Sequence, residues 1–477
     1  MERTSGLLAS VGTAVLLASL VVLVTIVSSV RPATAADKRP NIVFILTDDL
    51  SSHDMRYLDG LRNSMALNGT TFQKAYVSDA LCSPSRATTL RGQYPHNHGI
   101  RSNFAPSGGH DKFRRTGKDR STVATWLDDA GYETKFIGKY MNGYNEMGYI
   151  PPGWDEWFGW LDQPRNHEVN DNGKLFRVQG HDTDLFANKS VDFIRRASND
   201  HEPFFLSVWT RAPHQPAIPA PRYAHRFRNS ALPHPPSFDE ADVSDKPRFV
   251  RNTPRLSDKR ISEMRNLHRN RLASMLSVQD LVRDVIAELR KEGELDNTYI
   301  FFTSDNGYHL GEHRMTQGKR TAYEEDIRVP LMVRGPGVPA HRVLKHQVLN
   351  NDFAPTFADL ADVKPPSFVD GKSMVPLLRT SPPTVGGWRT GILTENWRTD
   401  DRGGIPEAPS FKALRTQSFL WNRYATGERE LYDMRNDPHQ LKSRKPRNKP
   451  QLVRKLNKQL DRLANCGGAQ CRSAETN

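Results

Sequence analysis

Several stretches of the chain are apolar without interruption. Asn41-Ile42-Val43-Phe44-Ile45-Leu46, Pro203 to Trp209 and Thr298 to Thr303 are short, rich in β-branched and aromatic residues, and closed by polar groups. That pattern predicts strands buried on both faces of a parallel sheet. Helical spacing alternates with them. Val123, Trp126, Leu127 and Ala130 follow i, i+3, i+4, i+7 spacing and meet a stop at Gly131. Met275, Val278, Val282, Val285 and Leu289 repeat at three and four residues up to Gly293, predicting an amphipathic helix. Tyr132 to Ile137 predicts one more strand, which delivers Gly138-Lys139-Tyr140 to the same sheet edge.

Two regions break this rhythm. Between Pro213 and Pro254 nine prolines and many charges leave no period, the mark of a long surface insertion. After about residue 380 the runs shorten to Gly391 to Trp397, Phe411 to Thr416, Ser418 to Tyr424 and Glu430 to Asp433. They predict a small antiparallel sheet, and Gln451 to Leu463 a final helix. No internal repeat is present.

The strand ends carry the chemistry. The first strand ends in Asp48-Asp49 and the last in Ser304-Asp305-Asn306-Gly307, at the carboxyl edge where open α/β sheets bind ligands. These acids either cap helices or form an oxygen shell for a hard cation. Pro203–Trp209 hands over to Pro213-His214-Gln215-Pro216, where prolines limit the backbone of a candidate general acid. A surface-loop histidine is the plainer reading of His214, and a solvated strand-end lysine that of Lys139.

Leu81 to Gly92 contains Cys82-Ser83-Pro84-Ser85-Arg86, read as a cysteine at a helix mouth with Pro84 at the first helical position. Free N–H groups and the helix dipole favour an anion there, with Ser85, Arg86 and Arg91 nearby. Taken alone, Cys82 is either a buried cysteine or a thiol of lowered pKa.

Composition narrows the setting. The formal charge of +13 and pI of about 9.6 favour an acidic partner: nucleic acid, an anionic membrane or a polyanionic glycan. No nucleic-acid-binding motif accompanies the charge, so nucleic acid is set aside. Lys442 to Lys449 holds five basic residues in eight, either a solvated linker or a docking strip. Leu7 to Val30 is apolar, with Arg3 before it and Ala33-Thr34-Ala35 after it, which predicts a cleaved signal peptide and an exported, secreted protein. An uncleaved membrane anchor is the competing reading. Of three cysteines, Cys466 and Cys471 are spaced to close a small disulfide loop, leaving Cys82 unpaired. Asn68-Gly69-Thr70 and Asn188-Lys189-Ser190 match glycosylation sequons.

Cys-x-Pro-Ser-Arg followed by Ala-Thr-Thr-Leu-Arg-Gly resembles the signature of type I sulfatases. Asp48-Asp49, Gly138-Lys139, Pro213-His214, Asp305-Asn306-Gly307 and Lys319 fall in that family's order. The runs Gly307 to Gly311, Gly318-Lys319, Asp326 to Pro330 and Arg334 to Gly337 are most similar to the N-acetylglucosamine-6-sulfatases and extracellular heparan 6-O-endosulfatases. The resemblance implies an alkaline-phosphatase-like α/β fold: a large mixed sheet sandwiched by helices, with a small C-terminal antiparallel sheet and a helix. The implied division is residues 1–35 as the export segment, 36–380 as the catalytic domain and 381–477 as the C-terminal subdomain.

It further implies that a formylglycine-generating enzyme oxidises Cys82 to Cα-formylglycine, whose hydrate attacks sulfur and then releases sulfate through its second hydroxyl. A divalent cation, calcium or alternatively magnesium, would be held by Asp48, Asp49, Asp305, Asn306 and the modified Cys82. Lys139, Lys319 and Arg86 would neutralise sulfate, and His214 would protonate the leaving oxygen. Met141 stands where many arylsulfatases carry the elimination histidine, and His309 is the candidate replacement. The expected substrate is a sulfated sugar or aryl sulfate, most closely a 6-O-sulfated glucosamine-type glycan. The rivals are a formylglycine-dependent phosphodiesterase or phosphonate monoester hydrolase, and a noncatalytic sulfated-glycan-binding protein.

Overall fold

A computed structural model describes residues 39–145, 148–162, 167–200, 202–399 and 408–476. The export segment lies outside the described residues. Among those described, no helix is long and apolar enough to cross a membrane.

The three uninterrupted apolar runs form neighbouring strands. β1 (Asn41–Thr47) lies between β7 (Phe204–Trp209) and β8 (Thr298–Ser304), parallel to both. Its side chains alternate between two cores, as strand geometry requires. Ile42, Phe44 and Leu46 face one side and Val43 and Ile45 the other, all at most 1% exposed. Each such side chain contributes about 1.5–3 kcal/mol through burial.

The strands β2 (Thr70–Tyr76), β3 (Glu133–Lys139), β4 (Glu156–Trp160), β5 (Glu168–Asp171), β6 (Lys174–Arg177), β9 (Arg328–Val329), β10 (Leu331–Arg334) and β11 (Arg342–Leu349) complete the sheet. Its order is β11-β2-β10-β8-β1-β7-β3-β4-β5-β6, with β9 pairing to β2 off this path. β10 runs antiparallel to both neighbours, as do β5 and β6 within their edge, so the sheet is mixed as expected.

Helices cover both faces. We label α1 (Cys82–Arg91), α2 (Val123–Asp128), α3 (Asp182–Asp200), α4 (Asp258–Lys291), α5 (Phe353–Leu360) and α6 (Pro450–Leu463). Phe353 and Phe357 of α5 pack on Phe44 in tilted and edge-on contacts, whereas α3 and α4 pack over Val43 and Ile45. The apolar repeat of residues 275–289 is the second half of a longer helix. The first half is more polar because fewer of its residues meet the core, Met264, His268 and Arg271 being buried among them.

β12 (Gly391–Asn396), β13 (Phe411–Thr416), β14 (Phe419–Tyr424) and β15 (Arg429–Asp433) form the antiparallel sheet. α6 packs on it, Trp421 donating its ring N–H to Asn457 at 2.9 Å. Cys466 and Cys471 are joined as a disulfide, and Cys82 is free and buried.

Candidate active site

Register builds the site. Thr47 lies level with Ser304, and Gly138 with Trp209, so the residues that follow β1, β8 and β7 and the last residue of β3 arrive at one edge. They are Asp48-Asp49, Asp305-Asn306, the segment leading to His214, and Lys139. Gly138 is required there: at φ 112° its absent Cβ would fall 2.0 Å from the Trp209 carbonyl oxygen.

α1 points Cys82 into this edge. The helix begins at Cys82, so Pro84 is its third residue, not its first. The displacement is harmless, since the first helical N–H groups have no intrahelical acceptor anyway. Asn103 accepts the Ser83 N–H at 2.9 Å, and the Ser83 hydroxyl accepts the Asn142 N–H at 3.1 Å. Arg91 does not join the site. Nine residues after Cys82 it faces the other side of α1, donating to Gln93 and the carbonyls of Lys118 and Ser121.

Around Cys82 three carboxylates meet three cations. The Cys82 Sγ lies 3.5 Å from Asp48 Oδ1 and 2.8 Å from Lys319 Nζ. Lys139 contacts Asp48, and Lys319 contacts Asp49. Arg86 donates from Nε to Asp305 at 2.8 Å, while its Nη2 stands 3.4 Å from Asp48. Trp209 lies under the guanidinium at 5.3 Å.

Burial would raise Asp48, but Lys139, His214, Arg86 and Lys319 outweigh it and hold its carboxyl well below the usual range. Burial and Asp48 instead push Asp305 up to about 6 against Arg86 and Lys319. The Cys82 thiol, buried and facing Asp48, is pushed up to about 12, so the encoded residue is not a thiolate nucleophile.

The oxygen set fits a hard cation. Single oxygens of Asp48, Asp49 and Asp305 lie within 4.8 Å of one another. Asn306 donates its amide N–H to Asp49 at 2.6 Å, leaving a buried Oδ1 with no partner. An all-oxygen set of carboxylates and an amide carbonyl suits calcium or magnesium. Asp49 adopts φ 69°, held by its own N–H to Asp305 Oδ1 at 3.0 Å.

His214 Nδ1 faces the Gln215 carbonyl oxygen at 2.6 Å, and Nε2 faces Asp49 Oδ2 at 3.7 Å. Donation from Nδ1 to that carbonyl leaves Nε2 as the working nitrogen. One atom each of His214, Asp48 and Cys82 lie within 4.8 Å of one another, so the histidine faces the nucleophile position. Desolvation by the pocket walls lowers its pKa against the pull of Asp48 and Asp49.

His309 lies on the loop that leads to Lys319. It bonds Asp326 at 2.8 Å through Nδ1 and bridges the backbone of Gly318, beside Lys319; its buried Nε2 has no partner. Burial lowers its pKa, but Asp326 outweighs that and raises it. Met141 is packed in the aromatic core, at 1% exposure.

Sequence reasoning passed over two supports. Arg271 of α4, 1% exposed, donates to the carbonyls of Asp49 at 2.6 Å and Pro213 at 3.2 Å, joining the acid loop to the His214 loop. Asn350 donates to the Ser85 hydroxyl at 2.9 Å, and that hydroxyl bonds the Asp305 carbonyl. No local sequence pattern marks either Arg271 or Asn350.

A cysteine at a helix start, three strand-end acids and three converging cations define a hydrolase site for an anionic ester. The Sulfatase family matches residues 40–363, and the family described as N-sulphoglucosamine sulphohydrolase, C-terminal, matches 311–466. The chain belongs to the sulfatase family and is a sulfuric ester hydrolase.

The N-acetylglucosamine-6-sulfatases of Capra hircus and Homo sapiens are each 35% identical to it, over 93% and 92% of this chain and 87% of theirs. An extracellular sulfatase SULF-1 homolog of Drosophila melanogaster is 38% identical over 76% of this chain and 33% of its own. A solved structure in complex with its substrate D-glucosamine-2-N,6-O-disulfate superposes with TM-score 0.77 at 26% identity, covering 91% of this chain and 99% of that one. The alkaline-phosphatase-like fold expected above is the fold observed.

Proposed function

We propose that the protein removes the 6-O-sulfate from a glucosamine-type residue of a sulfated glycan, after a formylglycine-generating enzyme has converted Cys82 to Cα-formylglycine. The observation that carries this reading is the convergence of Arg86, Lys139 and Lys319 on Cys82 beside an all-oxygen cation set. The naming of its 6-sulfatase relatives supports the sulfate position.

Asp48, Asp49, Asp305 and Asn306 would hold calcium, which supplies charge neutralisation at the sulfate oxygens. The hydrated aldehyde supplies an oxygen nucleophile and a second hydroxyl whose deprotonation releases sulfate. Lys139 and Lys319 bind the remaining sulfate charge, as preorganised cations in a buried site. As the new oxygen–sulfur bond forms and the sulfur–sugar oxygen bond breaks, His214 delivers its Nε2 proton to the departing oxygen. A bound sulfate beside His214 raises its proton affinity, offsetting the desolvation that lowers it in the free site. His309, oriented by Asp326, is our candidate for the second proton transfer.

We read residues 1–35 as an export segment, 36–380 as the catalytic domain, and 381–477 as the C-terminal subdomain of a secreted protein.

The test is sulfate release by protein matured with a formylglycine-generating enzyme. Substrates are 6-O-sulfated N-acetylglucosamine, its other sulfate isomers, an aryl sulfate and a matched aryl phosphodiester, with and without a calcium chelator. Preference for the 6-O-sulfated sugar supports the reading. Preference for the phosphodiester assigns the site to phosphodiester chemistry, and binding without turnover assigns it to glycan recognition.

A further inference from the structure

Residues 438–460 contain eight lysines and arginines and no aspartate or glutamate. The segment divides into a loop carrying Lys445, Arg447 and Lys449, and the start of α6. Val453, Leu456, Leu460 and Leu463 bury one face of α6 against the small sheet. Arg454, Lys455 and Lys458 occupy the opposite, exposed face. At 1.5 Å rise per residue their Cα atoms span about 6 Å along the axis.

Most buried or half-buried cations of this protein are committed to a carboxylate or carbonyl partner: Arg389 to Asp352, Arg415 to Glu324, Lys246 to the carbonyls of Gln440 and Leu441. Lys445, Arg447, Lys449, Arg454, Lys455 and Lys458 have no side-chain hydrogen bond or ion pair among the described residues. The first acid after the strip, Asp461, is taken by Arg423. An isolated surface charge is ordinary; six uncommitted like charges with no interspersed acid repel one another and are relieved by a polyanion.

Just before the strip the chain packs against the loops holding Ser51, Asp54 and Glu312. His439 lines a small cavity with Ser51, Asp54 and Glu312, and Ser51 is two residues from Asp49. Gln440 is fixed there by the Glu324 N–H at 2.8 Å and by Lys246 on its carbonyl at 2.6 Å.

We infer that this basic strip, from Lys445 through Lys458, is a docking surface for the sulfated polysaccharide whose residues the active site processes. The inference rests on the sulfated-glycan reading above, and deepens it by separating polymer capture from catalysis. Because it works by screened charge, its contribution falls as salt rises.

The experiment compares the wild-type full chain with a triple variant, Arg454→Gln, Lys455→Gln and Lys458→Gln, and with Arg447→Gln and Lys449→Gln combined. These side chains are exposed and partnerless, and glutamine keeps helix propensity. Elution from immobilised heparin should move to lower salt for both variants. KM on a sulfated polymer should rise about tenfold at low salt for the triple variant. Turnover of 6-O-sulfated N-acetylglucosamine should be unchanged.

Unchanged heparin elution overturns the proposal, as does an equal loss on monosaccharide and polymer. Equal retention of double-stranded DNA and heparin at matched salt also overturns it, since the strip would then be an unselective polyanion surface. If wild type turns over no sulfated sugar at all, the functional reading fails while the heparin shift still reports on the strip.

Discussion

Two buried ionic clusters can be set side by side. In the C-terminal region Arg389, fully buried, uses Nη1 and Nη2 on Asp352 and Nε on Glu475. Asp352 also accepts the N–H groups of Leu349 and Lys372, and Glu475 accepts the Tyr94 hydroxyl. Each of the three charges is saturated, and the cluster ties the last residues of the chain to the loop before α5. The catalytic cluster has as many cations as carboxylates but is left incomplete: Arg86 Nη2 and Asn306 Oδ1 are buried without a hydrogen bond. Since nearly all buried polar atoms in proteins are paired, orphans gathered around one sulfur mark a place for ligands. Here the saturated cluster serves architecture and the incomplete one lies at the candidate active site, while other buried atoms without partners, such as both oxygens of Asp79 and the amide of Asn351, lie elsewhere among the described residues.

Cys82→Ala should take sulfate release to background while shifting unfolding by no more than about 1 kcal/mol, measured by urea titration beside the activity assay. Arg389→Met should do the reverse. It strands two buried carboxylates and should cost about 3–5 kcal/mol, with the specific activity of the still-folded fraction preserved.

Asn306→Ala removes the orphan oxygen and should weaken calcium binding by about 10- to 100-fold in chelator competition, with little change in the apo unfolding midpoint. Arg271→Lys tests the clamp on the Asp49 and Pro213 carbonyls. A point charge cannot reach both, and kcat should fall roughly tenfold with KM nearly constant.

The smallest effect concerns Glu430, which makes no ion pair among the described residues but accepts the hydroxyls of Tyr323, Tyr424 and Tyr432. Burial raises its pKa above the ordinary 4.5 despite those donors. The folded state thus holds this proton more tightly than the unfolded one. Its contribution falls as pH rises from 4.5 through the raised value, by at most about 1.4 kcal/mol per unit. Glu430→Gln should flatten that part of the stability profile.

Much of this was legible in the chain. β1, β7 and β8 are buried on both faces, so their runs are apolar throughout, and the acids that end them stand at the binding edge. β2, Thr-Thr-Phe-Gln-Lys-Ala-Tyr, and the exposed β6 carry too mixed a pattern to be read as strands. α6 was readable because one of its faces is wet, and the small sheet, buried throughout in β12, because its short apolar runs are separated by turn residues. Asp48, Asp49, Cys82, Lys139, Asp305, Asn306 and Lys319 come together as strand-end reasoning and family resemblance required, and His214 joins them. His309 was named beside them, but its contacts run to Asp326 and Gly318. Arg271 and Asn350 were not legible, because they act on backbone or hydroxyl groups 58 to 265 residues away, which no local pattern records.

The most direct measurement is the mass of the tryptic peptide Ala75–Arg86 from protein of its native host, read beside sulfate release by the same preparation. The account predicts a peptide in which the Cys82 thiol has been replaced by the aldehyde, with activity proportional to the converted fraction. A fully unmodified cysteine in protein that still releases sulfate would contradict it.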